Sequence, residues 1–88
     1  MFSRELFGER LLKIRKQHKE TQTDLGKVLG LAKGRISDLE KGKNTTPVEN
    51  IVKICEHYNI SSDYLLGLSD EPEPKDGKKR ADGLPSDS

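Results

Sequence analysis

Apolar residues recur at helical spacing through the first two thirds of the chain and then almost vanish. Phe7, Leu11 and Ile14 lie at i, i+4 and i+7, predicting a helix from about 3 to 19. Leu25, Val28 and Leu29 form a second stripe, and Ile36 and Leu39 a third, with Leu31 between them where it can pack beneath both. Ile51, Ile54, Cys55 and Tyr58 make a fourth, and the short run DYLL, with Leu65 and Leu66, a fifth. The expected fold is all-α: a compact five-helix domain over residues 1–69. From Asp70 the text DEPEPKDGKKRADGLPSDS holds too few apolar residues to order itself, so 70–88 reads as a flexible polar tail or a linker.

The helix boundaries carry their own signals. Thr21 with Asp24 three residues on is a capping pair for the second helix, and Gly30 suits the left-handed turn that ends it. Gly26 lacks a side chain where a second helix would cross. Gly42 closes the third helix. Thr46-Pro47-Val48-Glu49 reads as a capping box with Pro at the first helical position. Asn59 breaks the fourth helix, Ser61 or Ser62 caps the fifth, and Gly67 closes it. Two short helices about a tight turn, the second with a polar outer face, describe a helix-turn-helix at Thr21 to Gly42.

Composition limits the alternatives. At 88 residues, 31% hydrophobic and 35% charged, the chain has room for one small domain. No apolar run approaches the ~18 residues of a membrane span. The start MFSREL lacks the basic and apolar regions of a secretory signal, so a cytoplasmic, nucleoid-associated protein is expected. The net charge of +1 conceals an uneven spread: residues 1–69 hold 12 Lys/Arg and 9 Asp/Glu, residues 70–88 hold 4 and 6. The expected domain is therefore basic and the tail mildly acidic.

Candidate chemistry is sparse. Cys55, the single cysteine, can form no internal disulfide and lies on an apolar stripe, either as a small buried hydrophobe or as a reactive thiol. His18 and His57 read as surface or boundary residues. No His, Cys and carboxylate cluster has metal-ligand spacing, and no nucleophile–base or carboxylate pair is evident, so neither a metal, a cofactor nor an enzyme activity is expected. Arg10, Lys13, Lys16 and Lys19 line the outer face of the first helix, as a solvated surface or a weak attraction for phosphate. Lys78 to Arg80 in the tail poses the same choice.

Thr21, Gln22, Leu25, Gly26, Leu29, Gly30, Leu31, Ile36, Ser37, Leu39, Glu40 and Gly42 match, without a gap, the pattern T-Q-x-x-L-[AG]-x-x-L-G-L-x-x-x-x-I-S-x-L-E-x-G. In this the chain resembles the phage-repressor helix-turn-helix family, the XRE-like class that includes lambda repressor and Cro. SSDYLLG also resembles the end of many such domains. The resemblance implies a lambda-repressor-like DNA-binding domain that places its third helix, about residues 32–41, in the major groove of double-stranded DNA. Lys33, Gly34, Arg35, Ser37 and Asp38 match base-reading positions. Gln22 matches a residue that contacts phosphate and braces a base-reading side chain. Thr21, Lys41, Lys43 and Asn44 fall at phosphate-contact positions. Arg15 and Glu40 match an ion pair joining the first and third helices. Two departures stand out: Gly34 where a polar side chain is usual, and Ala32 where Ser or Thr usually caps.

One such domain touches few base pairs, so a homodimer on a palindromic operator is expected, with contacts from Tyr58, Asn59, Ile60, Tyr64 and Leu65. The leading expectation is a sequence-specific regulator, a repressor of prokaryotic or phage origin. An antitoxin or restriction-modification controller would keep the DNA role and add a protein partner such as a toxin or antirepressor. A protein-interaction adaptor would abandon DNA and show an apolar patch on the third helix, which the sequence lacks.

Overall fold

The computed structural model describes residues 2–73, and the remainder of the expected tail, 74–88, lies outside them. Five helices follow in order: α1 (Arg4–Gln17), α2 (Gln22–Leu29), α3 (Lys33–Glu40), α4 (Val48–Tyr58) and α5 (Ser62–Leu65). Among the described residues there is no strand, and no helix is long and apolar enough to cross a membrane.

α1 begins where Ser3 caps it by accepting the Leu6 N–H, and it carries Phe7, Leu11 and Ile14 into the core. α3 and α5 pack on α1, and α2 packs on α3 and α4. Leu25, Ile36, Leu39, Ile54 and Leu65 join the first helix in one cluster, all essentially fully buried. Each such side chain stabilises the fold by roughly 1.5–3 kcal/mol relative to exposure. Gly8 lets α1 approach α3 closely: a Cβ there would stand 2.4 Å from the carbonyl oxygen of Leu39.

Two expectations about boundaries change. Pro47 is the N-cap of α4, not its first helical residue, and Thr46 caps nothing. The Thr46 hydroxyl instead accepts a hydrogen bond from the Asn50 side-chain amide at 2.8 Å, so the helix starts without a side-chain cap. Asn59, in the left-handed conformation at φ 55°, ends α4 as expected.

The second change concerns the domain edge. Residues 70–73 lie along the domain instead of leaving it at Ser69. The Ser61 N–H donates to the Pro72 carbonyl at 2.8 Å. Arg10 holds the same segment: its guanidinium stacks 4.2 Å over the Tyr64 ring and donates to the carbonyls of Tyr64 and Ser69 and to the Asp70 carboxylate. Arg10 is thus a tie between α1 and the chain after α5, and not part of the solvated cationic face. Periodicity puts it at the edge of that face; the Tyr64 ring and the chain at Ser69 and Asp70 are what occupy its guanidinium.

Candidate nucleic-acid interface

The turn between α2 and α3 sets the angle of the third helix. Gly30 ends α2 at φ 71°, ψ 31°, and the N–H groups of Gly30 and Leu31 both donate to the Gly26 carbonyl. The Leu31 carbonyl folds back so closely that a Cβ on Gly26 would meet it at 2.4 Å. Gly26 therefore admits the turn itself, where the sequence suggested a crossing helix; Ile36 lies farther off, at 3.7 Å.

α3 buries Ile36, Leu39 and Glu40 and turns the rest of its surface outward. At 3.6 residues per turn, Gly34, Asp38 and Lys41 run down the middle of the outer face. Lys33 and Ser37 form one edge and Arg35 the other. Lys33, Gly34, Arg35 and Lys41 are exposed, Ser37 and Asp38 half-buried. Ala32 provides no side-chain cap, which leaves the first N–H groups of α3 open at the end where Lys33 stands.

The loop after α3 folds against its last turn. The Lys43 N–H donates to the Asp38 carbonyl at 2.9 Å, and the Asn44 amide approaches the Asp38 carboxylate at 3.5 Å, a weak contact. Gly42, at φ 78°, lets the loop pass the start of α1 beside Glu5. Lys41 and Lys43 are left exposed on one side of α3.

At the opposite end of the motif Thr21 and Asp24 cap α2 reciprocally, at 3.0 and 2.9 Å. The Thr21 backbone hydrogen bond holds the Asp24 carboxyl below its usual range. The Thr21 hydroxyl accepts in this cap, and among the described residues it donates to no other group. Gln22, the first residue of α2, donates its side-chain amide to the Glu40 carboxylate at 2.9 Å.

Glu40 also receives Arg15, Nε to Oε2 at 2.6 Å and Nη2 to Oε1 at 3.1 Å. The pair is buried, with side chains 8% and 3% exposed. The hydrogen bond to Glu40 is the main cause that raises the Arg15 pKa above its ordinary value, against the cost of burial. A guanidinium in bidentate contact with a carboxylate fixes direction as well as distance, so α1 and α3 hold one relative orientation.

The motif pattern gave no sign of a second polar cluster behind this pair. Glu20 accepts from the Tyr58 hydroxyl at 2.8 Å and meets His57 Nε2 at 2.9 Å, while the rings of His18 and His57 pack on Tyr58. Burial alone would raise the Glu20 carboxyl, yet the hydrogen bonds from Tyr58 and His57 bring it below its usual value. The Tyr58 hydroxyl is pushed up by burial and by its bond to Glu20. The two histidines are 39 residues apart in sequence, and only the packing of α4 beside the α1–α2 loop brings them together. Cys55 is half-buried, and burial raises its thiol to about 11, which suits the bland reading of a small apolar side chain.

Of the expected dimer residues, Tyr58, Ile60, Tyr64 and Leu65 belong to the core of a single copy, at 7% exposure or less. They are buried where α5 packs on α1 and α4, and so offer little surface to an outer seam. Asn59 alone of the five is exposed. Among the described residues the exposed large apolar side chains are Phe2 (44%), Leu68 (74%) and, on the flank of α4 that Asn59 continues, Val48 (72%) and Val52 (48%).

Residues 11–65 match the model of the helix-turn-helix family. This chain belongs to the helix-turn-helix family. Among curated relatives it is 35% identical over 74 residues to YobD of Bacillus subtilis, an HTH-type transcriptional regulator, covering 84% of this chain and 66% of that one. It is 36% identical over 62 residues to the C2 repressor of Salmonella phage P22, covering 70% and 29%. The chain thus spans less than two thirds of the length of these relatives. The P22 c2 repressor solved with a synthetic operator superimposes with a TM-score of 0.68 at 34% identity, over 73% of this chain and 97% of that one. The restriction-modification controller C.AhdI of Aeromonas hydrophila gives 0.64 at 26% identity, over 70% and 94%. This helix-turn-helix chain is of the phage-repressor type, as its motif implied, and α2 and α3 are the two helices of that motif.

Proposed function

We propose that the chain is a sequence-specific double-stranded DNA-binding transcriptional regulator that reads the major groove with α3. The observation that carries this reading is the division of α3 into two faces. Its inner face is locked by Ile36, Leu39 and the Arg15–Glu40 pair, and its outer face is polar throughout. A rigid helix with short polar side chains between cationic ends fits the width and donor–acceptor pattern of the groove. Lys33 can donate to guanine O6 and N7, and Asp38 can accept from cytosine N4. Arg35 reaches a base or a phosphate on its own edge. Thr21 and Gln22 at one end and Lys41, Lys43 and Asn44 at the other stand where phosphates flank the groove. Phosphate contacts would fix register and base contacts would supply specificity.

Two copies on an inverted repeat complete the reading, with half-sites about one helical turn (~34 Å) apart. We place their seam on the exposed flank of α4, at Val48, Val52 and Asn59. Two partly exposed valines fall far short of the ~800 Å² per partner of a stable complex. The seam therefore acts when DNA already holds the two copies side by side, where effective concentration is high.

The likeness to C.AhdI supports a restriction-modification controller as a second reading with the same DNA role. The adaptor reading loses ground because the exposed residues of α3 include no large apolar side chain.

Selection of bound duplexes from a random library, followed by affinity measurements over a range of salt, tests the proposal. An enriched inverted repeat is expected. Binding without sequence preference, lost steeply with salt, would overturn it and leave electrostatic attraction alone.

A further inference from the structure

We propose that Glu40 is a positioning residue for the DNA backbone, acting through Gln22. The inference rests on the reading of function above. Gln22 is the first residue of α2 and Glu40 the last of α3, so their 2.9 Å hydrogen bond ties the opposite ends of the motif. Glu40 Oε1 accepts from both Gln22 Nε2 and Arg15 Nη2, while Oε2 takes Arg15 Nε. Arg15 Nη1 in turn donates to the Glu20 carbonyl at 2.6 Å, which fixes the loop entering α2. Three donors from two side chains surround one carboxylate that is itself almost wholly buried.

A glutamine amide carries two hydrogens. One is spent on Glu40, and among the described residues nothing else bonds to the Gln22 amide. The second hydrogen is left on a half-exposed side chain beside the open N–H groups of α2. A free glutamine would give up its rotamer freedom on meeting a phosphate; here that freedom is already surrendered on folding. Because Glu40 belongs to α3, the backbone contact and the base-reading helix move as one body. The ion pair that fixes the fold thereby also sets the register of α3 in the groove, and Lys33 is left unencumbered to read a base.

A thermodynamic cycle on the full chain tests this, with the duplex recovered by random-library selection as the probe. Gln22→Met removes the amide at nearly constant shape. The paired replacement Arg15→Met with Glu40→Leu removes the carboxylate without unpairing a buried charge or altering net charge. Each is expected to weaken binding roughly 5- to 10-fold, the size of one hydrogen bond. The triple variant should lose no more than either alone. The salt slope should not move, because no cation is removed from the interface. Losses that multiply in the triple variant, or a Gln22→Met chain that binds as the wild type does, would overturn the proposal. A wild type that selects no sequence would overturn the proposed function instead.

Should the paired replacement fail to fold by circular dichroism, the side-chain amide NMR signals of the free wild type decide. The chain has two glutamines, and exposed Gln17 serves as the internal reference. Gln22 is expected to show an order parameter close to that of rigid backbone. Motion equal to that of Gln17 would overturn the proposal.

Discussion

Gly8 of α1 lies against the backbone of α3 so tightly that a Cβ would stand 2.4 Å from the Leu39 carbonyl oxygen and 2.5 Å from that of Glu40. Both neighbours are main chain and cannot swing aside. Gly8→Ala should therefore destabilise the domain by about 2 kcal/mol or more, since overpacking forces helices apart. Thermal unfolding would fall by on the order of 10 °C. An unchanged midpoint would show that α1 and α3 can separate without cost.

Gly34 is the opposite case. Nothing lies within 4 Å of a Cβ built there, and it sits in the first turn of α3. Gly34→Ala should raise stability by up to about 1 kcal/mol, the helix-propensity difference. On the proposed DNA it should change base preference at one position, since a methyl would face the groove. A stabilised variant with unaltered preference would remove Gly34 from the reading face.

Lys33 and Lys43 separate reading from anchoring. Lys33→Ala should relax specificity at one base position, by roughly 1–3 kcal/mol of lost discrimination. Lys43→Ala should weaken binding to all sequences and reduce the salt slope by about one. Competition assays on matched and mismatched duplexes at several salt concentrations distinguish the two. Equal losses on every sequence would show that both lysines only anchor.

The seam on α4 is tested without touching the core. Val48→Gln with Val52→Gln adds no charge and alters exposed positions, so stability should hold within about 0.5 kcal/mol per site. Binding to an isolated half-site should not change, whereas binding to the inverted repeat should lose its cooperativity. Full cooperativity in the variant would place the seam elsewhere.

Glu20 contributes a defined pH dependence. Its folded pKa lies below the ordinary 4.5, so its stabilising contribution is whole above that value and is lost as pH falls through the folded one. The Asp24 carboxyl is lowered too, so its contribution is also lost on acidification. Glu20→Gln should flatten the fall of the unfolding midpoint as pH drops below 4.5, leaving the part due to Asp24. Parallel midpoint curves for wild type and variant would deny Glu20 that role.

The sequence by itself determined the helices, their core stripes and the family. Phe7, Leu11, Leu25, Ile36 and Ile54 declare their faces by spacing, because a helix repeats every 3.6 residues whatever surrounds it. Thr21, Asp24 and Gly30 mark boundaries because capping is local chemistry. The Arg15–Glu40 pair was legible only through resemblance, since nothing in spacing relates residues 25 apart. Gly8 did carry a signal of its own, an isolated glycine inside a helical pattern, though not what it packs against.

The rest was decided by the tertiary structure. Arg10 reads as one more exposed cation until Tyr64, Ser69 and Asp70 gather around it. Tyr58, Ile60, Tyr64 and Leu65 suit an outer seam as well as a core until α5 packs on α1 and α4. Gln22 finds Glu40, and Glu20 finds His57 and Tyr58, because helix packing sets distances between side chains remote in sequence. Local chemistry fixes each element; which polar groups share a site depends on how those elements are brought together.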